Sequence, residues 1–202
     1  MYTIAREAGQ VILELEDNRY AKWAALRIGC AFAAEGKGRG LLLHATGLAH
    51  TERSVAVIGL AQSGGGKSTL TDLALGWHSL SDETVYVEAS DDAPCAYGLP
   101  FRSSASKQPE PLAARIGAFL ILEKSLVSGL EPVSQDVALR ALLNQAYRPL
   151  GLMESQSEFF RCAARIARSA PCFRFKFDKT LESVSGLLNQ FLDDHRLASH
   201  PR

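Results

Sequence analysis

Residues 54–69 read SVAVIGLAQSGGGKST, an abrupt passage from an apolar, β-branched run to glycine, lysine and hydroxyl side chains. The run Ser54 to Leu60 is short and nearly all apolar, which suits a strand buried on both faces. Ala61 to Ser68 then fits the phosphate-binding loop pattern, with Ala61 standing where glycine is commoner. The glycines let successive backbone N–H groups turn inward as an anion nest, and a helix beginning near Ser68 aims its positive end at the same point. On this reading Ser63, Gly64, Gly65, Gly66, Lys67, Ser68 and Thr69 bind a nucleotide. Lys67 reaches the β- and γ-phosphates and the Ser68 hydroxyl ligates Mg²⁺, so ATP and Mg²⁺ are the expected cofactors. The bland alternative is a glycine-rich turn with a solvated lysine; the strand before and the helix after weigh against it.

Working outward, the pattern alternates strands and helices, which argues an α/β architecture. Before the loop, Gln10 to Glu16 alternates as a strand, Tyr20 to Ala34 reads equally as a helix or a strand pair, and Gly36 to Gly40 interleaves glycine with Lys37 and Arg39 as a basic loop. Leu41 to Leu48 is apolar, interrupted at His44 to Gly47. After the loop, Gly76 reads as the helix stop and Thr84 to Glu88 as a strand. Residues 89–111 are rich in Asp, Ser and Pro and read as functional or mobile rather than core. That loop carries Arg102, Lys107 and several serines, either an acceptor-docking segment or a solvated one. Residues 118–124 read as a buried strand, Leu139 to Ala146 as an amphipathic helix, Phe159 to Ile166 as a second, Cys172 to Phe177 as a strand and Leu181 to Leu192 as a closing helix.

The 202 residues carry 22 Lys+Arg against 22 Asp+Glu, so no overall basic field favours nucleic acid. No apolar run approaches the roughly 18 residues of a spanning helix. Glu7, Glu14 and Glu16 interrupt the N-terminal apolar stretch where a signal peptide stays uncharged. Cys30, Cys95, Cys162 and Cys172 form no C-x-x-C pair, which suggests reduced thiols rather than a zinc site or a disulfide framework. A cytoplasmic protein with neither membrane nor nucleic-acid partner is expected.

A nucleotide site needs a carboxylate near its metal, and Asp82-Glu83 supplies a pair soon after the loop helix. Alone, such a pair reads as a solvated turn; beside a phosphate loop it reads as machinery. His44, in an apolar run, reads equally as a satisfied core histidine.

Three features stand in order: LLLHA at 41–45, SGGGKS at 63–68 and GWHSLSDETVYVE at 76–88. Together they resemble the catalytic domain of HPr kinase/phosphorylase and its smaller relatives, the HPr-kinase-related proteins of peptide-modifying gene sets. The resemblance runs over roughly residues 41 to 195, including the late strand at 170–175. It implies an α/β P-loop fold of the HPr kinase and phosphoenolpyruvate carboxykinase type, a central mixed sheet with flanking helices. Residues 1–40 are then a short N-terminal β/α extension, 41–195 the kinase-like domain and 196–202 a tail. The implied activity is ATP- and Mg²⁺-dependent phosphorylation of a serine on a small protein or ribosomally made peptide. Carried over residue by residue, Lys67 and Ser68 take the phosphates and Mg²⁺, Asp82 or Glu83 is the base and His44 orients that carboxylate. Glu83 stands with Ser68 for the metal, and which of the two carboxylates is base and which is metal partner stays open. A P-loop ATPase or nucleotide sensor is the alternative, and a scaffold that kept the fold for protein binding a third. Ala61 replaces the family's first glycine and Glu83 its second aspartate. Neither the N-terminal domain nor the P-G-R-N region of the true HPr kinases has a counterpart, so HPr itself is not implied as substrate. A homo-oligomer is among the assemblies the resemblance allows.

Overall fold

The strand entering the glycine loop, β5 (Val55–Leu60), is buried along its whole length, and its alternating side chains feed two different cores. Ala56, Ile58 and Leu60 point into one, Val55 and Val57 into the other. A strand apolar on both faces needs a layer on each, so helices cover the sheet on both sides. The computed structural model describes residues 2–7, 10–15, 19–36, 39–90, 93–147 and 156–194; before residue 39, side chains are described for 22–31 only. The expected tail at 196–202, Lys37 and Gly38 of the basic loop, and Glu16 lie outside the described residues.

The first elements are a hairpin, β1 (Tyr2–Glu7) antiparallel to β2 (Gln10–Leu15), and the helix α1 (Arg19–Gly36), which decides between helix and strand pair for that segment. Next come β3 (Gly40–Leu43) and β4 (Ala45–His50), with His44 at the bend between them. After β5 follow α2 (Lys67–Leu73), β6 (His78–Ser81), β7 (Val85–Glu88), β8 (Cys95–Tyr97) and β9 (Ala113–Lys124). The chain closes with β10 (Gly129–Pro132), α3 (Gln135–Gln145), α4 (Gln156–Ser169), β11 (Cys172–Phe177) and α5 (Leu181–Asp194). Gly76 does adopt the left-handed φ of 77°, but α2 has already ended at Leu73, so this glycine turns the chain into β6 rather than capping the helix.

Among the described residues the main sheet has nine strands, seven of them ordered β3-β7-β8-β9-β5-β4-β6, with β11 joined to β9 and β10 joined to β11. The long β9 is shared: Ala113–Arg115 pair with β8 and Phe119–Lys124 with β11, while β5 runs along the opposite side. β5, β9 and β11 are mutually parallel and the remaining pairs antiparallel, so the sheet is mixed. On one face α3 and α4 pack Leu142, Ala163 and Ile166 against Leu43, Ile58 and Phe119. On the other, α2 and α5 pack Leu70, Leu188 and Phe191 against Val57, Leu120 and Phe175. Burying each such Leu, Ile or Phe is worth about 1.5–3 kcal/mol, and this apolar stock fixes the three-layer arrangement. The three parallel strands end side by side, and the glycine loop lies across those ends, where a doubly covered α/β sheet leaves a crevice.

Residues 89–111 depart from their expected character. β8 lies inside them, Phe101 is fully buried and Ala105 nearly so. The polar residues around them hid a core anchor, because a single aromatic in a Ser/Pro-rich run carries no periodicity.

Candidate functional site

The loop takes its shape from glycine. Gly64 and Gly66 hold φ of 75° and 101°, a region side chains resist. A Cβ on Gly66 would stand 2.7 Å from Phe177 Cζ, and one on Gly65 2.6 Å from Ala61 Cβ. Ser63 is exposed at the loop tip and Thr69 half-buried in the first turn of α2. Lys67, buried, turns its Nζ back to donate to the carbonyls of Ala61 (2.8 Å) and Gln62 (3.3 Å). Burial pulls its pKa down, and the Asp82 and Glu83 charges oppose that pull. From the end of β9, Lys124 Nζ donates to Gly64 O at 2.6 Å.

The acidic pair sits in a turn organised by Ser81. Its hydroxyl donates to Phe101 O (2.6 Å) and accepts from the Glu83 and Thr84 N–H groups (3.1 and 2.9 Å). Asp82 is only 1% exposed, a state a carboxylate tolerates when its oxygens are hydrogen-bonded. Ser103 N–H donates to Oδ1 (2.8 Å); Ser104 N–H (3.1 Å), Ala105 N–H (2.9 Å) and the Ser68 hydroxyl (2.9 Å) donate to Oδ2. The next two residues staple the same loop to α2, since the Ser106 N–H and hydroxyl both donate to Asp72 Oδ1 at 2.7 Å. Lys107 is committed as well, its Nζ donating to the carbonyls of Ala74 and Trp77. The loop that read as docking or solvated is thus the lid over Asp82, with Arg102 exposed on its outer side.

Glu83 faces elsewhere. Expected beside Ser68 at the metal, it instead pairs Oε1 with Nη2 of Arg27 from α1, and Asp82 is the carboxylate that meets Ser68. His44 lies on Glu83's side: its N–H donates to Gln145 O (2.7 Å) and its Nδ1 is 3.3 Å from the Tyr147 hydroxyl. Burial first, then the Lys67 charge, lowers the His44 pKa; the Glu83 charge and backbone oppose this, and Arg27 adds to the lowering. The Gln145 amide nitrogen, oriented to satisfy both its ends, donates to the carbonyls of His44 and Ala61 at 3.0 Å each, tying the β3–β4 bend to the loop.

The fold therefore gathers His44, Lys67, Ser68, Asp82 and Glu83 in one place and adds Arg27, Ser81, Gln145, Tyr147 and the N–H groups of 103–105. None of the additions has a local signature. Arg27 sits in a segment whose type the sequence left open, and backbone donors are invisible in any sequence. Among the described residues no group of three or more His, Cys, Asp or Glu is set to hold a metal. Ser68 and Asp82 do fit Mg²⁺, which takes one or two protein oxygens and completes its shell with phosphate and water. No family model matches the chain, and no curated protein does.

Proposed function

We propose that this chain is a P-loop kinase of the HPr-kinase-related kind, transferring the γ-phosphoryl group of ATP to a serine hydroxyl on a small protein or peptide. The observation that carries the reading is the 2.9 Å bond from the Ser68 hydroxyl to Asp82, at the foot of a loop whose Gly64 and Gly66 hold positive φ and whose Lys67 is buried. A hydroxyl and a carboxylate so joined after a glycine loop are the residue types that would hold a phosphate-bound Mg²⁺. The ion, when bound, neutralises charge on the phosphates. Asp82 is on this reading the metal-side carboxylate, since four hydrogen bonds already engage its oxygens. Glu83 is then the base. Its carboxylate takes the acceptor hydroxyl's proton as the serine oxygen bonds to the γ-phosphorus; the bond from that phosphorus to the bridging oxygen breaks, and its electron pair leaves with ADP. Lys67 offsets the charge gathering on the phosphates, and His44 holds Glu83 in place.

The test uses ATP, Mg²⁺ and serine-bearing peptides encoded beside the gene, read by mass spectrometry. One serine gains phosphate mass with the native protein. Glu83→Gln lowers the rate by about 10²–10⁴-fold with nucleotide affinity little changed, whereas Asp82→Asn mainly raises the Mg²⁺ requirement. Phosphate release with no modified peptide supports the ATPase or sensor instead.

A further inference from the structure

Arg27 is built into the site in an unfinished way. A guanidinium carries five N–H donors in a fixed fork. Here Nη2 is used on Glu83, Cζ lies over the Phe101 ring 5.4 Å from its centroid, and Nε is buried with no hydrogen-bond partner. Buried, unpaired N–H groups are rare because they forgo water and gain nothing. Trp23, one turn earlier on α1, packs its ring 5.6 Å from that of Phe101, so the guanidinium is held between the helix and the lid of Asp82. Glu83 thus lies between two cations: it acts on Lys67, the phosphate-loop lysine, and is paired with Arg27. While that pair holds, Oε1 of the carboxylate is engaged by a cation.

We propose that Arg27 is the γ-phosphate sensor of this site: when the triphosphate binds, the guanidinium leaves Glu83 for γ-phosphate oxygens, and Glu83, released, becomes competent as base. This rests on the phosphotransfer reading above and deepens it. The exchange is nearly neutral in charge, one anionic oxygen replacing another, and phosphate matches the fork of Arg better than it matches the point charge of Lys. ADP, lacking the γ-phosphate, leaves the pair intact and the base engaged, so the acceptor is not deprotonated before a donor is in place. The helix contributed by residues 19–36 is on this account part of the machinery rather than an appendage.

Calorimetric titration with ADP and with the ATP analogue bearing NH between the β- and γ-phosphorus, each with Mg²⁺, tests the proposal without turnover. The native protein binds the analogue more tightly than ADP. Arg27→Ala weakens the analogue by about tenfold or more, the scale of one charge-assisted contact, and leaves ADP within about twofold. Arg27→Lys, which keeps the charge and most of the packing, also loses analogue selectively but by less; it carries the test if circular dichroism finds the alanine variant unfolded. Equal losses for both nucleotides, or none, in the folded variants overturn the sensor while the phosphotransfer reading stands. A native protein that binds neither nucleotide overturns both.

Discussion

Gly66 shows how little freedom single residues at the site possess. Its φ of 101° and the 2.7 Å approach a Cβ would make to Phe177, itself fully buried, leave no room for adjustment on either side. Gly66→Ala is therefore expected to lower stability by about 1–3 kcal/mol from backbone strain alone. The contact on Phe177 adds to it. Thermal unfolding reads the loss, and the proposed nucleotide affinity should fall with it, because Gly64 and Gly66 at positive φ set the course of the loop. Asp82 and Glu83 illustrate the same point in charge. They are adjacent in the chain, yet one is closed in by three backbone N–H groups and Ser68 while the other reaches across to a helix about 56 positions earlier.

Among the elements, the segment from Phe101 to Lys107 decides whether the acidic turn exists in its present form. Phe101 is its root, buried completely and touched by Trp23 and Arg27; its carbonyl also accepts the Ser81 hydroxyl. Phe101→Ala should cost about 3–5 kcal/mol, the range for deleting a core aromatic ring. Because the same residue fixes the N–H groups over Asp82, the variant should lose the proposed phosphoryl transfer by more than its residual folded fraction accounts for. Equilibrium urea unfolding, with transfer measured well below the midpoint, separates the two effects. A loss of transfer no larger than the unfolded fraction would mean the lid is packing alone. The neighbouring strands behave otherwise: β5 is apolar throughout, β11 alternates phenylalanine with Arg174 and Lys176, and both stand where the periodicity puts them, whereas β8 is three residues held by its partners.

For the molecule as a whole, His44 links the site to acid stability. Its pKa in the fold is lowered from 6.5, chiefly by burial. As pH falls through 6.5 the unfolded chain takes up a proton that the folded protein resists, so the unfolded state binds more protons and stability declines until the folded pKa is reached. Above that window the group contributes no slope. Denaturant midpoints measured between about pH 7.5 and about pH 5 should fall more for the native protein than for His44→Asn, which has no such proton to take up. Parallel lines for the two would remove His44 as the source.

The grouping of His44 with Asp82 and Glu83 came from the resemblance to the HPr kinase family, while the sequence by itself determined the alternation of strands and helices, the buried strand before the glycine loop, and the loop with Lys67 and Ser68. Those features are local. Apolar periodicity, glycine clusters and the turn chemistry around them follow from the backbone's own preferences, and periods of 2 and 3.6 survive in a string of letters. Tertiary structure alone decided that α1 is a helix lying on β3, that Arg27 pairs with Glu83, that Asp82 rather than Glu83 meets Ser68, and that a Ser/Pro-rich loop is anchored by Phe101 and donates its N–H groups to Asp82. Each of these joins residues far apart in the chain, through a backbone donor, a cation or one buried ring. Such partners are set by where the packed sheet brings the segments, since an isolated Arg, Phe or amide has many equivalent neighbours until the core closes and leaves it one.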